Sequence, residues 1–384
     1  MRTRKEIENN ESKTLMPYAS LASNSLGRHH SEQEHDYRTS FQRDRDRIVH
    51  TSAFRRLEYK TQVFVNHEGD YYRTRLTHTM EVTSIARTIA RALGINEDLA
   101  EAISLAHDLG HTPFGHAGQD VMAQLMKDHG GFEHNKQSFR IVTTLECPYP
   151  TYDGLNLSYE TLEGILKHAS EYDMPDSSTF IKEGYPSIEA QICNFADEIA
   201  YNNHDIDDGL KSGLITFDDL KSITVWQTHF DEMEKKYPEA NDKQLKRLTV
   251  KAIINLFVSD LISYTNSRIE ELKIKTIQDV REKGKDLVGF SPEIKILNTE
   301  LKRFLFNKLY RHYRVERMAE KAKRVITELF TAYKSNKKIV PPGFSEAYSD
   351  DTSFERVVCD YIAGMTDRYA LGEYKKLFDP MAKV

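Results

Sequence analysis

The scarcity of glycine and proline constrains the fold of this chain more than any other feature. There are 18 glycines and 11 prolines among 384 residues, a share of about 8% where about 12% is usual. Sandwiches and barrels of many short strands need turn residues at every reversal of the chain, so this composition disfavours them. We therefore expect an all-α fold built from long helices.

Apolar residues recur with the helical period along much of the sequence. Segment 77–93 predicts a helix that Gly94 ends, and Asn96 can cap a second helix whose apolar stripe runs to Ala106. Further helices are expected over 118–128, 134–146, 158–171, 187–203, 242–273, 299–334 and 354–369. Turns or loops are expected at 147–154, 171–178, 283–291 and 337–343.

The domain organisation follows from what the sequence lacks. It contains no clean linker, internal repeat or low-complexity segment. We therefore expect one compact domain over residues 1–384. Its first 35 residues or so are polar and aperiodic, which predicts a loosely held lead-in.

The spacing of the cysteines and the lengths of the apolar runs indicate in which cellular compartment the protein is expected. Cys147, Cys193 and Cys359 are far apart and odd in number, so neither a disulfide framework nor a CxxC metal site is expected. The N-terminal sequence lacks the apolar stretch of a secretory signal. No uninterrupted apolar run approaches the about 18 residues of a membrane span. These features predict a cytoplasmic protein without membrane contacts.

The charge is unevenly distributed along a chain of net charge −6. Residues 38–75 carry nine Lys/Arg against five acids, and residues 299–325 carry nine against three. Two basic islands in an acidic chain suit a polyphosphate or nucleic-acid ligand. Long helices also carry basic residues on solvated faces, so charge alone leaves both interpretations open.

Histidines cluster in one part of the sequence. Five of the fifteen fall within 28 residues: His107, His111, His116, His129 and His134. There are three His-Asp doublets, at 35–36, 107–108 and 204–205, so a doublet alone means little. Doublet 107–108 stands out because it ends an apolar helix, His78 opens the preceding helix, and Asp197 interrupts a further apolar helix. Imidazoles with carboxylates suit a borderline or hard divalent ion, although core histidines and capping aspartates are the commoner roles.

Seven blocks, read in order, resemble the HD-domain deoxynucleoside triphosphate (dNTP) triphosphohydrolases, in their dGTPase-like branch. They are RDRDRIVHTSAFRRLEYKTQVF (43–64), RTRLTHTMEV (73–82), AHDLGHTPFGHAG (106–118), GGFEHNKQSFRI (130–141), ADEIAYNNHDIDDGL (196–210), LYRHYRV (309–315) and DYIAGMTDRYAL (360–371). The resemblance implies an all-α HD fold with an HD core at about 73–210. It implies a C-terminal helical part, 211–384, that completes the active site and carries oligomer contacts.

The resemblance also implies an activity and a metal site. The activity is hydrolysis of a dNTP, such as dGTP, to deoxynucleoside and inorganic triphosphate by a homo-oligomer, a tetramer or hexamer. Carried over residue by residue, the ligands of one divalent ion (Mg, Mn, Fe, Ni or Zn) are His78, His107, Asp108 and Asp197. A Mg²⁺ ion is expected with the nucleotide phosphates.

The clustered histidines resemble the family's catalytic groups. His116 corresponds to the residue beside the scissile phosphorus, His134 to the acid for the leaving oxygen, and His111 to a phosphate contact. Close relatives carry an acid three residues after the His116 equivalent, where this chain has Gln119. An amide can accept a hydrogen bond from the imidazole but cannot neutralise an imidazolium. We therefore expect slower chemistry or a changed partner for His116, rather than inactivity.

Eight residues are implied as substrate contacts. They are Arg75 for the α-phosphate, Arg56 as a weaker phosphate candidate or a core residue, Lys302, Tyr310 and His312 for the β- and γ-phosphates, and Gln62, Tyr201 and Asp205 for the sugar. Asp205 follows Asp197 by two helical turns, so both can face one cleft. Ordinary packing is the competing role for the two tyrosines.

Two other functions stay open at this point. One is an HD-type nucleotide phosphohydrolase or phosphodiesterase with the same metal ligands. The other is a nucleotide-sensing or single-stranded-nucleic-acid-binding protein with weak catalysis, a hypothesis that Gln119 and the basic islands motivate. An activating dNTP and single-stranded DNA are further candidate ligands. A base pocket is expected from segment 147–185 and the last helix.

Overall fold

A computed structural model describes residues 1–62, 73–168, 184–345 and 352–383, and this part is all-α, as the sequence predicts. It contains two isolated β-bridges and no β-strand. The α-helices are α1 Arg4–Thr14, α2 Ser40–Val49, α3 Ser52–Arg56, α4 Arg75–Leu93, α5 Glu97–Ala106, α6 Gly115–Leu125, α7 His134–Arg140, α8 Tyr159–Leu166, α9 Ile188–Ser212, α10 Phe217–Leu220, α11 Thr224–Lys236, α12 Asp242–Glu271, α13 Ile277–Lys283, α14 Pro292–Leu305, α15 Tyr313–Ser335, α16 Pro342–Ser345, α17 Phe354–Ala363 and α18 Asp367–Phe378.

The helices fall into two compact units. The first unit comprises Met1–Ile48, His78–Leu105 and Asn156–His312, and the second comprises Val49–Thr77, Ala106–Leu155 and Tyr313–Val384. The prediction of one domain is not decided by this division and stays a prediction.

In the first unit, α9 is the central helix. It packs against α8, α12 and α14, and α11 packs against α12 and α14. The Ser187 side chain caps α9 by accepting a hydrogen bond from the Ala190 amide. Helix α12 buries every fourth residue, which gives the narrow stripe of a helix covered on one side: Leu245, Thr249, Ile253, Phe257, Leu261, Thr265 and Ile269.

Helix α12 also has the length and apolar composition of a membrane span. Its most apolar window has a mean hydropathy of 1.3 and is 28% buried. Among the described residues it is the one helix with these properties. A core helix of a soluble protein meets the same criteria, so this is weak evidence for a membrane contact.

In the second unit, α15 packs against α6, α17 and α18. Met122, Ile326, Leu329 and Ile362 are fully buried in its apolar core. The clustered-histidine segment runs into the start of α6. The packing of α6 in this core therefore fixes that part of the segment.

Two helices predicted as continuous are broken. Over 299–334, α14 ends at Leu305, a π-helical turn follows at Phe306–Tyr310, and α15 begins at Tyr313. No glycine or proline marks this break, so the apolar stripes of α14 and α15 looked like one. In the predicted helix 354–369, α17 ends at Ala363 before Gly364, and the Thr366 side chain caps α18.

The prediction of a loosely held lead-in is wrong. Thr3 and Glu6 form a capping box at the start of α1, the arrangement that satisfies two free amides at a helix N-terminus. Tyr18 is buried. The Ser20 amide donates to the Glu189 carboxylate on α9 over 2.9 Å. Buried contacts therefore fix this segment although it lacks helical periodicity.

Predictions nearer the histidine cluster are confirmed. Helix α4 ends at Leu93 before Gly94, and the Asn96 side chain accepts a hydrogen bond from the Leu99 amide at the start of α5. The loop expected at 171–178 lies outside the described residues, as does the end of the helix expected at 158–171.

Candidate metal centre and its surroundings

His78 and Asp197 face each other in the first unit. His78 lies in the first turn of α4, and its Nε2 is 2.8 Å from the Asp197 Oδ1 on α9. His78 is buried, whereas the Asp197 side chain is 25% exposed. Two long helices therefore hold an imidazole and a carboxylate together, as the sequence predicts for this pair.

His107, which directly follows α5, completes a group of possible metal ligands. One ligand atom from each of His78, His107 and Asp197 lies within 4.8 Å of the others. Two imidazoles and a carboxylate match the donor preference of borderline divalent ions such as Zn, Fe or Mn. The residues present therefore fit a divalent ion, whose identity they do not determine.

Asp108, the fourth predicted ligand, is not part of that group of three. Its Oδ2 accepts a hydrogen bond from Arg75 Nη1 over 3.0 Å, and its Oδ1 is 3.1 Å from His111 Nδ1. Burial favours the neutral acid, but the His107 and Arg75 charges outweigh it and hold the pKa of Asp108 well below its usual range. Asp108 is thus an ionised carboxylate, and Arg75, the predicted α-phosphate ligand, contacts it.

His111 and His134 form a buried pair in the second unit. Their ring centroids are 4.1 Å apart, and His134 Nδ1 is 3.1 Å from the Glu133 carboxylate at the start of α7. Burial, followed by the Arg75 charge, lowers the pKa of His111 to about 3. His111 is therefore neutral at pH 7, so one of its ring nitrogens can donate a hydrogen bond and the other can accept one.

His116 lies at the start of α6 and is exposed, with its ring 6.0 Å from that of His111. Gln119 lies one helical turn later. Its side-chain oxygen is buried and accepts no hydrogen bond in the described part of the chain. The structure therefore shows no bond by which Gln119 orients His116, and that role stays a prediction.

The loop between Asp108 and α6 is tightly constrained. A Cβ at Gly110 would lie 2.1 Å from the His134 carbonyl oxygen, so only glycine fits there. Phe114 adopts a left-handed conformation, with φ +64°, which costs a residue with a Cβ about 1–2 kcal/mol. Such strain persists only where neighbouring contacts enforce it.

Two of the three predicted sugar contacts, Tyr201 and Asp205, lie together with Tyr310, a predicted phosphate contact, in the first unit. The Tyr310 hydroxyl donates a hydrogen bond to Asp205, and the Tyr201 and Tyr310 rings are 5.8 Å apart. Burial, together with the Asp205 charge, raises the pKa of Tyr310 well above its usual value. Tyr310 is therefore a neutral donor beside a carboxylate.

The remaining predicted contacts are less clearly placed. Lys302 Nζ is 3.3 Å from the Glu198 carboxylate, and Arg56 is 3.9 Å from Glu146. The Gln62 side-chain oxygen is buried without a hydrogen-bond partner in the described part. His312 is partly exposed at the end of the first unit.

Two further residues that the sequence prediction missed, His204 and His168, lie near His78 and Asp197. His204 Nδ1 is 3.4 Å from His78 Nδ1, and His204 also contacts Glu81. His168 Nε2 is 3.6 Å from Asp197 Oδ2. The 204–205 doublet was the available signal, because it lies two turns after Asp197 on the same helix.

Comparisons with known proteins agree with this arrangement. A family model of the HD domain matches residues 75–202, and one of the phosphohydrolase-associated domain matches residues 288–376. A protein of Geobacter sulfurreducens is 53% identical over 96% of both chains, and one of Geobacter metallireducens is 52% identical over 99% of both. One of Thiobacillus denitrificans is 51% identical over 95% of this chain and 97% of its own. All three are named deoxyguanosinetriphosphate triphosphohydrolase-like protein. This chain therefore belongs to the HD-domain hydrolase family of deoxyguanosinetriphosphate triphosphohydrolase-like proteins.

Proposed function

We propose that the chain is a metal-dependent hydrolase that cleaves a dNTP into deoxynucleoside and inorganic triphosphate. The observation that carries the proposal is the convergence of His78, His107 and Asp197 within 4.8 Å. The names of the relatives, which point to dGTP, support the choice of substrate. Asp108 would hold the ion together with these three residues.

The chemistry that a bound divalent ion supplies is polarisation of an α-phosphate oxygen and stabilisation of the charge that develops on it. Around it, His116 is the exposed imidazole and thus the group able to exchange a proton with solvent. Neutral His111 can donate an N–H to a phosphate oxygen without adding charge. His134, beside the Glu133 carboxylate, is proposed to protonate the leaving 5′-oxygen.

Sugar selection is proposed for Gln62, Tyr201 and Asp205, and contact with the β- and γ-phosphates for Lys302, Tyr310 and His312. The Asp205 carboxyl group, which already accepts a hydrogen bond from the Tyr310 hydroxyl, can accept a second one from a 3′-hydroxyl. The aromatic ring of Tyr201, 5.8 Å from that of Tyr310, would occupy the space of a 2′-hydroxyl. A ribonucleotide would then be excluded by crowding and by the loss of water from an unpaired hydroxyl.

Five finer features belong to the same proposal. The chain is proposed to act in the cytoplasm as a tetramer or hexamer, with Mg²⁺ on the nucleotide phosphates. An activating dNTP and single-stranded DNA are proposed as additional ligands, for which the basic islands 38–75 and 299–325 offer the charge. Light scattering of the purified chain tests the assembly, with and without dNTPs.

The test is a panel of the four dNTPs and GTP, with Mg²⁺, Mn²⁺ or Zn²⁺, followed by chromatography of all products. We expect inorganic triphosphate and deoxynucleoside in equal amounts, and no turnover of GTP. The double variant His107→Ala/Asp108→Ala should lose activity by at least a hundredfold, because it removes half of the proposed ligands.

The matched control is His35→Ala/Asp36→Ala, which alters another His-Asp doublet, outside the metal centre. It should retain wild-type turnover. Release of monophosphate and pyrophosphate, or of phosphate alone, would instead favour the phosphohydrolase or phosphodiesterase function. Tight, salt-sensitive nucleic-acid binding without any triphosphate release would favour the sensing or binding function.

A further inference from the structure

Hydrogen bonds join the C-terminal helices to the loop that contains His111 and leads into α6, on which His116 lies. The buried Lys60 Nζ donates to the His111 carbonyl oxygen and, over 2.9 Å, to the Ala363 carbonyl oxygen at the end of α17. The Lys60 side-chain nitrogen therefore joins the backbone of the loop that contains His111 to the backbone of α17.

Asp367, the first residue of α18, makes a second connection to the same loop. It is 2% exposed. Its Oδ1 accepts a hydrogen bond from the Phe114 amide over 2.9 Å, and its Oδ2 accepts bonds from the Thr61 amide, over 3.0 Å, and the Thr61 hydroxyl. Three donors thus satisfy a carboxylate that burial alone would make costly.

The hydrogen bond between the Phe114 amide and Asp367 affects the position of His116, because Phe114 directly precedes α6. Phe114 is the residue in the left-handed conformation, and α6 begins immediately after it, without a side-chain cap from Phe114. His116 is the second residue of α6. A bond that fixes the Phe114 amide therefore fixes the direction in which α6 starts and the origin of the His116 side chain.

The same C-terminal helices hold the segment that carries His134. Asp360 on α17 accepts hydrogen bonds from Gln137 Nε2, over 2.9 Å, and Arg140 Nε, over 2.8 Å. Both donors lie on α7, whose first residue is His134. Block 360–371 thus bonds to both parts of the second unit that carry the clustered histidines.

We propose that Asp367 is a positioning residue for the reaction. Through the Phe114 amide, and together with Lys60 and Thr61, it fixes the backbone from His111 to His116. This gives block 360–371 a role in the same reaction as the proposed metal ligands, from which it is far apart in sequence. The inference rests on the proposed function, because it gives His111 and His116 their roles in dNTP hydrolysis.

The test is Asp367→Asn in the full chain. The amide keeps one acceptor for Phe114, but its NH₂ group faces the two Thr61 donors and cannot accept their bonds. We expect kcat to fall about tenfold or more, with the bound metal per chain unchanged. We also expect the imidazole ¹⁵N resonances of His111 and His116 to shift in a metal-loaded sample without nucleotide.

Asp379→Asn is the matched control, because Asp379 directly follows α18 and its carboxylate accepts a hydrogen bond from the nearby Met381 amide. It should leave kcat and the imidazole resonances unchanged. If Asp367→Asn does not fold, Thr61→Val removes one donor and keeps the amide, and we expect a smaller fall in kcat with the same resonance shifts.

Wild-type kcat in the folded Asp367→Asn variant, or unchanged resonances of both histidines, would overturn the positioning role. A merely structural role would lower the melting temperature and leave these two readouts unchanged. Absence of triphosphate release from the wild-type protein would contradict the proposed function instead. The imidazole resonances would still decide whether Asp367 sets the loop.

Discussion

Gln119 stands at a position of the clustered-histidine segment where the family resemblance predicts an acid. It follows His116 by three positions on α6, a spacing at which side chains on a helix meet. Its side-chain oxygen makes no hydrogen bond in the described part. A carboxylate at this position could accept a hydrogen bond from the imidazole and also stabilise its charged form, whereas an amide can only accept the hydrogen bond.

Gln119→Glu is therefore expected to raise kcat for triphosphate release severalfold and to raise the pKa of His116. The reason is that an adjacent negative charge favours the imidazolium. A pH profile of kcat checks both effects, and Gln124→Glu, near the end of α6, serves as the control. Unchanged or lower kcat in Gln119→Glu would contradict this account.

The proposed metal ligands show how much of the site could be predicted from single residues of the sequence. His78, His107 and Asp197 were predicted together because the family resemblance placed them, and the structure brings them together. The bond between Arg75 and Asp108 was not predicted, since nothing in the sequence says which of two roles a buried arginine takes. His168 and His204 were missed because a lone histidine is usually a core residue.

At the scale of helices, the boundaries that carry a local signal were predictable and the others were not. Gly94 and Asn96 define the end of α4 and the start of α5. The break between α14 and α15 contains no glycine or proline, so no local signal in the sequence marks it. The N-terminal segment was mispredicted for the same reason, because its burial depends on Glu189, far along the chain.

Gly110 shows how closely the elements approach each other around the clustered histidines. Gly110→Ala would place a Cβ 2.1 Å from the His134 carbonyl oxygen and 2.2 Å from the Ser138 amide nitrogen. We expect a loss of about 3 kcal/mol or more in the free energy of unfolding, because backbone on both sides must move. Urea denaturation measures it.

Gly372→Ala is the matched control, since it lies inside α18 with open space around the added Cβ. Alanine there should stabilise the protein by up to about 1 kcal/mol, because it favours the helix more than glycine does. Equal effects of the two substitutions would mean that the Gly110 contact is not tight in solution.

At the scale of the whole molecule, the proposed metal centre makes stability depend on the ion. His78, His107 and Asp197 are far apart in sequence, so the unfolded chain cannot present them together. An ion that binds only the folded state stabilises it by about 2.7 kcal/mol at a free concentration a hundred times its Kd. Chelation should then lower the melting temperature by several degrees.

Differential scanning calorimetry of the wild-type chain with EDTA and with excess Mn²⁺ measures this difference. His78→Ala should abolish most of it, because it removes a ligand from the group of three, whereas the exposed His50→Ala should retain the wild-type difference. If His78→Ala gained as much from Mn²⁺ as the wild type, the stabilising ion would bind elsewhere. The convergence on which the proposed function depends would then not be a metal centre.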